Sequence, residues 1–201
     1  MDIRISAASQ NRILTRDRRF LLSVNNKGEH NLTPIGGGLE FSESARPFLT
    51  GLGARFGEGN DLRLTINQAR VAEFERWFVT RTGRETDSFR EVQQELVDEE
   101  HVLAELLPEQ VMANYVWTSK PPIALSSRPG AEGTLTQRYF EVFDLQFVST
   151  VWDKIGNNMA SANPIFALAT PEEIMAGRTE NTGQKIGDNC KALLGLFQLN
   201  I

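Results

Sequence analysis

Residues 34–43 read PIGGGLEFSE, and residues 94–102 read QELVDEEHV. The first stretch puts three glycines, Gly36, Gly37 and Gly38, after a strand-like run and follows them with Glu40 and Glu43. Glycines there let the backbone take positive φ and let another group approach closely. The second stretch sets Glu95, Asp98 and Glu99 at i, i+3 and i+4. On an α-helix those carboxylates share a face and repel one another, so solvent, a cationic side chain or a hard cation has to offset them. Mg²⁺ and Mn²⁺ favour such oxygen ligands and keep several waters. A solvated acidic face is the common alternative, and a glycine run alone is a turn; this one is neither a Walker loop nor GxGxxG.

The chain around these stretches has 201 residues, 40% apolar and 23% charged, with a formal net charge of −5. The length suits one well-cored domain with an insertion. The acidic balance argues against a general grip on nucleic acid, while a divalent metal can still bring a nucleotide into a local pocket. The single cysteine, Cys190, excludes an intrachain disulfide and a cysteine zinc cage. MDIRISAASQNR lacks an apolar signal core, and no run approaches a membrane span. A cytoplasmic protein without a membrane segment is expected.

Strands are predicted at 2–6, 12–15, 19–24, 61–66, 111–118, 134–148 and 164–168, and NNKGE at 25–29 is a turn cluster. Val71, Phe74, Trp77 and Phe78 recur at helical spacing within 69–82. Ser88 and Glu91 have capping-box spacing and open a helix expected to run from Phe89 to Leu107, before Pro108. Further helical segments are expected at 45–56 and 151–157. KPPIALSSRPGAEG at 120–133 reads as a polar loop. Thr170 caps a short helix with Pro171 at its first position, and a terminal helix is expected over 185–197. Strands and helices interleave, which gives a mixed α/β or α+β class around one sheet.

Taken together, Gly37, Glu43, Glu95, Leu96, Glu99 and Val102, with Asp98 for a Glu, resemble the Nudix box, Gx5Ex7REUxEExGU, where U is bulky and aliphatic. Gln94 stands where the box has Arg, and His101 where it has its last Gly. Fifty residues separate Glu43 from Gln94, against seven in the box, so an insertion of about 43 residues, at 44–87, splits it. A second register starts at Arg90-Glu91-Val92; it keeps the Arg but puts Gln94 at a ligand position and Asp98 at an apolar one. The later register is preferred. A split box of this kind, with DLRLTI, RETDSFRE and RYFEVFDL around it, is similar to the SMODS-associated Nudix family found beside bacterial nucleotidyltransferases of cyclic-oligonucleotide defence systems. The resemblance covers roughly residues 18–178.

The resemblance implies a Nudix-type α/β/α sandwich with a mixed central sheet, as a single domain over 1–201. It implies hydrolysis of a nucleoside diphosphate-linked or other nucleotide-derived substrate, in bacterial antiphage signalling. Glu95, Asp98 and Glu99 would hold Mg²⁺ or Mn²⁺, with Glu99 or Glu43 as base. Gly37, Gly38, Glu40, His30 and Tyr139 are the substrate-side candidates. Arg90, one turn before Gln94, is the substitute for the missing box Arg, and His101 stands beside the metal ligands. Family members often dimerise, and the insertion helix at 69–82 is the contact surface considered. Two other readings stand beside the hydrolase: a Nudix-fold sensor that binds a nucleotide without turnover, and an interaction module with a solvated acidic face.

Overall fold

The computed structural model describes residues 1–25, 30–57, 59–127 and 130–199. Most of the NNKGE turn, and Arg128 and Pro129 of the 120–133 loop, lie outside them. The centre of the fold is a parallel pair of long strands, β1 (Asp2–Arg12) and β8 (Leu135–Phe147), in register from Arg4↔Thr136 to Arg12↔Asp144. β1 runs on from the strand expected at 2–6 through Arg12, while the strand expected at 12–15 does not form beyond an isolated bridge of Leu14 with Phe20. Alternation along β8 explains why a sheet with two covered faces forms. Tyr139, Leu145 and Phe147 join the clusters on one face, and Phe140 and Val142 the cluster on the other.

Outward from this pair, β5 (Arg63–Asn67) and β4 (Arg55–Phe56) continue the sheet beyond β1, and β6 (Val111–Ser119) and β7 (Ala124–Leu125) pair with β8. All of these pairings are antiparallel, so the sheet is mixed. A second sheet has the order β3 (Leu32–Thr33), β2 (Phe20–Val24), β9 (Phe166–Ala169). The helices are α1 (Arg46–Gly51), α2 (Val71–Phe78), α3 (Phe89–Gln93), α4 (Ser149–Met159) and α5 (Pro171–Ala176). Thr170 caps α5 as expected: its hydroxyl accepts from Glu173 N–H while Glu173 reaches back to Thr170 N–H.

The apolar stripe of α2 is spent on the core. Phe74 and Phe78 are fully buried and pack against the Tyr139 ring, with centroids 5.6 and 5.2 Å away. Tyr139, a substrate-side candidate for which core packing was the other reading, is buried in this aromatic cluster, and its hydroxyl donates to Glu75. The terminal helix is also corrected: Asp188–Leu194 forms a 3₁₀ segment, ending at Gly195 in the left-handed region.

The insertion leaves and re-enters at one point. Phe41 and Arg84 form an antiparallel bridge, flanked by Ser42 N–H to Gly83 carbonyl (2.9 Å) and Glu85 N–H to Glu40 carbonyl (2.8 Å). The excursion between them, carrying α1, β4, β5 and α2, is a closed loop, and the chain arrives at α3 as if the excursion were absent. Arg84 anchors the junction. Its fully buried guanidinium donates to Phe78 and Glu85 carbonyls and to Glu141 on β8, which is also buried.

Candidate functional site

The segment from Phe89 was expected to be an α-helix as far as Leu107. It is α-helical only to Gln93 and continues as a π-turn over Gln94–Glu99, with Glu100 N–H bonding Glu95 carbonyl at 3.0 Å. His101 then ends it in the left-handed region, φ 51°, with Nδ1 2.9 Å from Val97 carbonyl oxygen. In the register that starts at Gln94, His101 stands at the last Gly, and it holds a left-handed conformation that costs a non-glycine residue about 1 kcal/mol. The wider winding of the π-turn breaks the i, i+3, i+4 alignment, so Asp98 no longer shares the Glu95 face by helical spacing. Asp98 and Glu99 are exposed, and Gln94 Nε2 donates to Glu99.

The capping box expected from Ser88 and Glu91 does not form. Ser88 is buried and its hydroxyl donates to Asn11 Oδ1 on β1, while Asp87 caps Phe89 N–H. Glu91 is thereby released to face the glycines.

Each of the three glycines meets a charged side chain. Gly36 N–H donates to Glu95 Oε2 at 2.9 Å, and Ser23 on β2 donates to the other carboxylate oxygen. Gly36 has φ +148°, and a Cβ there would lie 2.3 Å from Ser9 carbonyl oxygen. A Cβ on Gly37 would lie 1.5 Å from Glu91 Oε2, so that carboxylate fills the space the missing side chain leaves. Gly38 carbonyl accepts from Arg90 at 2.8 Å, and Arg63 of β5 lies over its Cα. The turn is bare because the Ser9 backbone, Glu91 and Arg63 occupy what side chains would fill.

Arg90 ties the cluster together. It pairs with both oxygens of Glu85 at 2.8–2.9 Å, with Glu91 at 2.5 Å and more distantly with Glu40 at 3.8 Å. The Glu85 hydrogen bond, first among these, holds its guanidinium above the ordinary arginine value. Burial raises the carboxyls of Glu91 and Glu95. For Glu95 burial outweighs the Ser23 and Gly36 hydrogen bonds and pushes it up to about 7, with Glu99 and Glu100 adding repulsion.

The residues that touch the turn are thus Arg90, Glu91 and Glu95, in the Arg90-Glu91-Val92 register, with Val92 and Leu96 buried beneath them. Glu43 is not among them: it is exposed and pairs with Arg46 at 2.8 Å, which lowers its carboxyl pKa. Glu85, close to Arg90 along the chain, takes the partner position that sequence spacing gave to Glu43. His30 is exposed at φ 52°, its carbonyl accepting from Gln184 at 3.5 Å. Ser23, Arg63, Glu85 and Glu91 were not among the expected site residues. Only Glu91 had a sequence signal, in the second register; Ser23 and Arg63 depend on long-range pairing, and Glu85 on a local contact with Arg90.

Among the described residues no three His, Cys, Asp or Glu side chains converge as a complete metal cage. The donor set nonetheless fits Mg²⁺ or Mn²⁺, which take one or two protein carboxylates and complete their shell with water and substrate phosphates. Glu91 and Glu95 present such a pair at the turn. No helix among the described residues is long and apolar enough to cross a membrane. No curated protein and no solved structure matches the chain. The family model described as SMODS-associated NUDIX domain matches residues 2–194. With its mixed sheet and its carboxylate-bearing helix set against a glycine turn, the chain belongs to the SMODS-associated NUDIX domain family.

Proposed function

We propose that this protein is a metal-dependent Nudix hydrolase that cleaves a phosphoanhydride bond in a nucleotide-derived substrate. The observation that carries the reading is the contact of Glu91 and Glu95 with Gly36 and Gly37, kept across the insertion. Glu91 and Glu95 are the residues that would hold Mg²⁺ or Mn²⁺, with Glu99 one turn further along the same helix. A bound metal supplies charge neutralisation at the pyrophosphate oxygens and acidifies an attacking water. The protein's own part is positioning. Arg90 fixes Glu91 and the Gly38 carbonyl in one cluster, Ser23 and Gly36 N–H orient the Glu95 carboxylate, and Arg63 places a cation beside the turn for a substrate phosphate. The antiphage setting, the cytoplasmic location and the single-domain reading rest on the family resemblance and the sequence.

A nucleotide sensor is the second reading, favoured by Gln94, a neutral amide at a ligand position of the Arg90 register. Incubation with ADP-ribose, NAD and the nucleoside triphosphates, each with Mg²⁺ or Mn²⁺ and followed by chromatography, separates the two. Metal-dependent turnover lost in Glu95→Gln and Glu91→Gln supports the hydrolase. Thermal stabilisation by a nucleotide without turnover supports the sensor.

A further inference from the structure

A cavity of about 500 Å³ lies at the far end of β2 from Ser23, bounded by the turn from β1 into β2 and by the 3₁₀ segment at 188–194. This is the size of a small-molecule site. It lies on the side of the Phe20, Leu22 and Leu193 cluster, away from Val92 and Leu96 beneath the carboxylate helix. Asn11 reaches the helix side, bonding Ile35 carbonyl and accepting from Ser88, and the next residue, Arg12, lines the cavity.

Its wall has two parts. Leu14, Phe20, Leu193 and Leu194 form an apolar side. Arg12, Arg18 and Arg19 form a guanidinium side, and two of these are already engaged. Arg12 forks onto Asp144 and lies over the Trp117 ring, 4.7 Å from its centroid; Arg19 pairs with Asp17 at 2.6 Å. Arg18 is the cation of this wall with no partner among the described residues. It sits at φ 62°, in a turn closed by Arg18 N–H to Thr15 carbonyl and Thr15 N–H to Arg19 carbonyl, both 3.0 Å. Glycine or asparagine holds that conformation more cheaply. An arginine there gives up backbone ease and contributes an uncommitted planar fork, suited to phosphate or carboxylate. Exposed Glu172 on the rim is an acceptor for a donor group on the same ligand.

We infer that this cavity binds a small organic anion with a flat apolar body carrying a hydrogen-bond donor, the chemistry of a nucleoside monophosphate, at a site separate from the glycine turn. Arg18 takes the anionic group and the leucine wall takes the body. The probe is 8-anilinonaphthalene-1-sulfonate, an aromatic anion with one N–H, titrated into native protein in EDTA, with AMP as competitor. Saturable fluorescence enhancement displaced by AMP is expected. Arg18→Gly, which relieves the backbone, should melt no lower than wild type yet bind both compounds at least about tenfold more weakly. Arg18→Lys, which keeps the charge but not the fork, should fall between. Failure of the probe to bind, unchanged affinity in Arg18→Gly, or loss of AMP displacement in Glu95→Gln but not in Arg18→Gly would each overturn the assignment. Turnover at the glycine turn is read separately, so failure of one site leaves the other standing.

Discussion

Removing the charge of Glu95 should change how stability depends on pH. In metal-free protein its carboxyl is pushed from the ordinary 4.5 up to about 7, chiefly by burial. The folded state therefore holds this proton more tightly than the unfolded chain. Below about pH 4.5 both states are protonated and the group contributes nothing. Between 4.5 and 7 the unfolded chain releases its proton first, so stability falls as pH rises. Above 7 the full cost remains, on the order of 3 kcal/mol. Glutamine carries no charge, so Glu95→Gln lacks this slope; its altered hydrogen bonds with Ser23 and Gly36 add an offset that does not vary with pH. Urea unfolding followed by tryptophan fluorescence, in EDTA from pH 4.5 to 8, measures both proteins. The stability of Glu95→Gln relative to wild type should rise by about 3 kcal/mol over that range, and a pH-independent difference would refute the reasoning. Added Mg²⁺ should stabilise wild type more at pH 8 than at pH 5, because the metal needs the deprotonated carboxylate.

Other substitutions probe the remaining contacts. Gly37→Ala places a methyl where Glu91 Oε2 now sits; the flexible carboxylate yields, so folding should survive while metal-dependent turnover falls about a hundredfold. Arg90→Ala should cost about 1–3 kcal/mol in urea unfolding and most of the activity, since Gly38 carbonyl, Glu85 and Glu91 lose their common partner. Arg84→Met leaves the buried Glu141 carboxylate facing only Arg81, 3.5 Å away, and should destabilise by about 3–5 kcal/mol. Arg84→Met with Glu141→Leu should cost less than the sum of the two single changes, read in the same unfolding assay.

The legible parts were those written in local pattern. The alternation from Leu135 to Phe147 marked the central strand, and Thr170-Pro171 marked the start of α5. The glycine turn was legible as a close-approach site, but not what approaches it. The register could not be settled by spacing, because Gln94–Glu99 winds as a π-turn and because Glu85 replaces Glu43 beside Arg90. The approach of Arg90 and Glu91 to the glycines depends in turn on the chain closing at Phe41 and Arg84, a pairing that spacing does not show. Tyr139 failed as a ligand candidate for a similar reason. An aromatic beside an arginine looks alike at a site and in a core, and Phe74 and Phe78, some 60 residues earlier, decide which.

The closure at Phe41 and Arg84 also has consequences for the order of assembly. Loop entropy must be spent before Arg90 and Glu91 can meet the glycine turn, and that expense grows only slowly with loop length. Residues added at the tip of the excursion should therefore be well tolerated, whereas loosening its base should disconnect the two halves of the site. The excursion cannot simply be excised, because α2 roofs the aromatic cluster over Tyr139. Partial unfolding of this one segment would silence the glycine turn while the second sheet stayed intact. Activity would then report on the docking of a segment that holds none of the carboxylates at the turn.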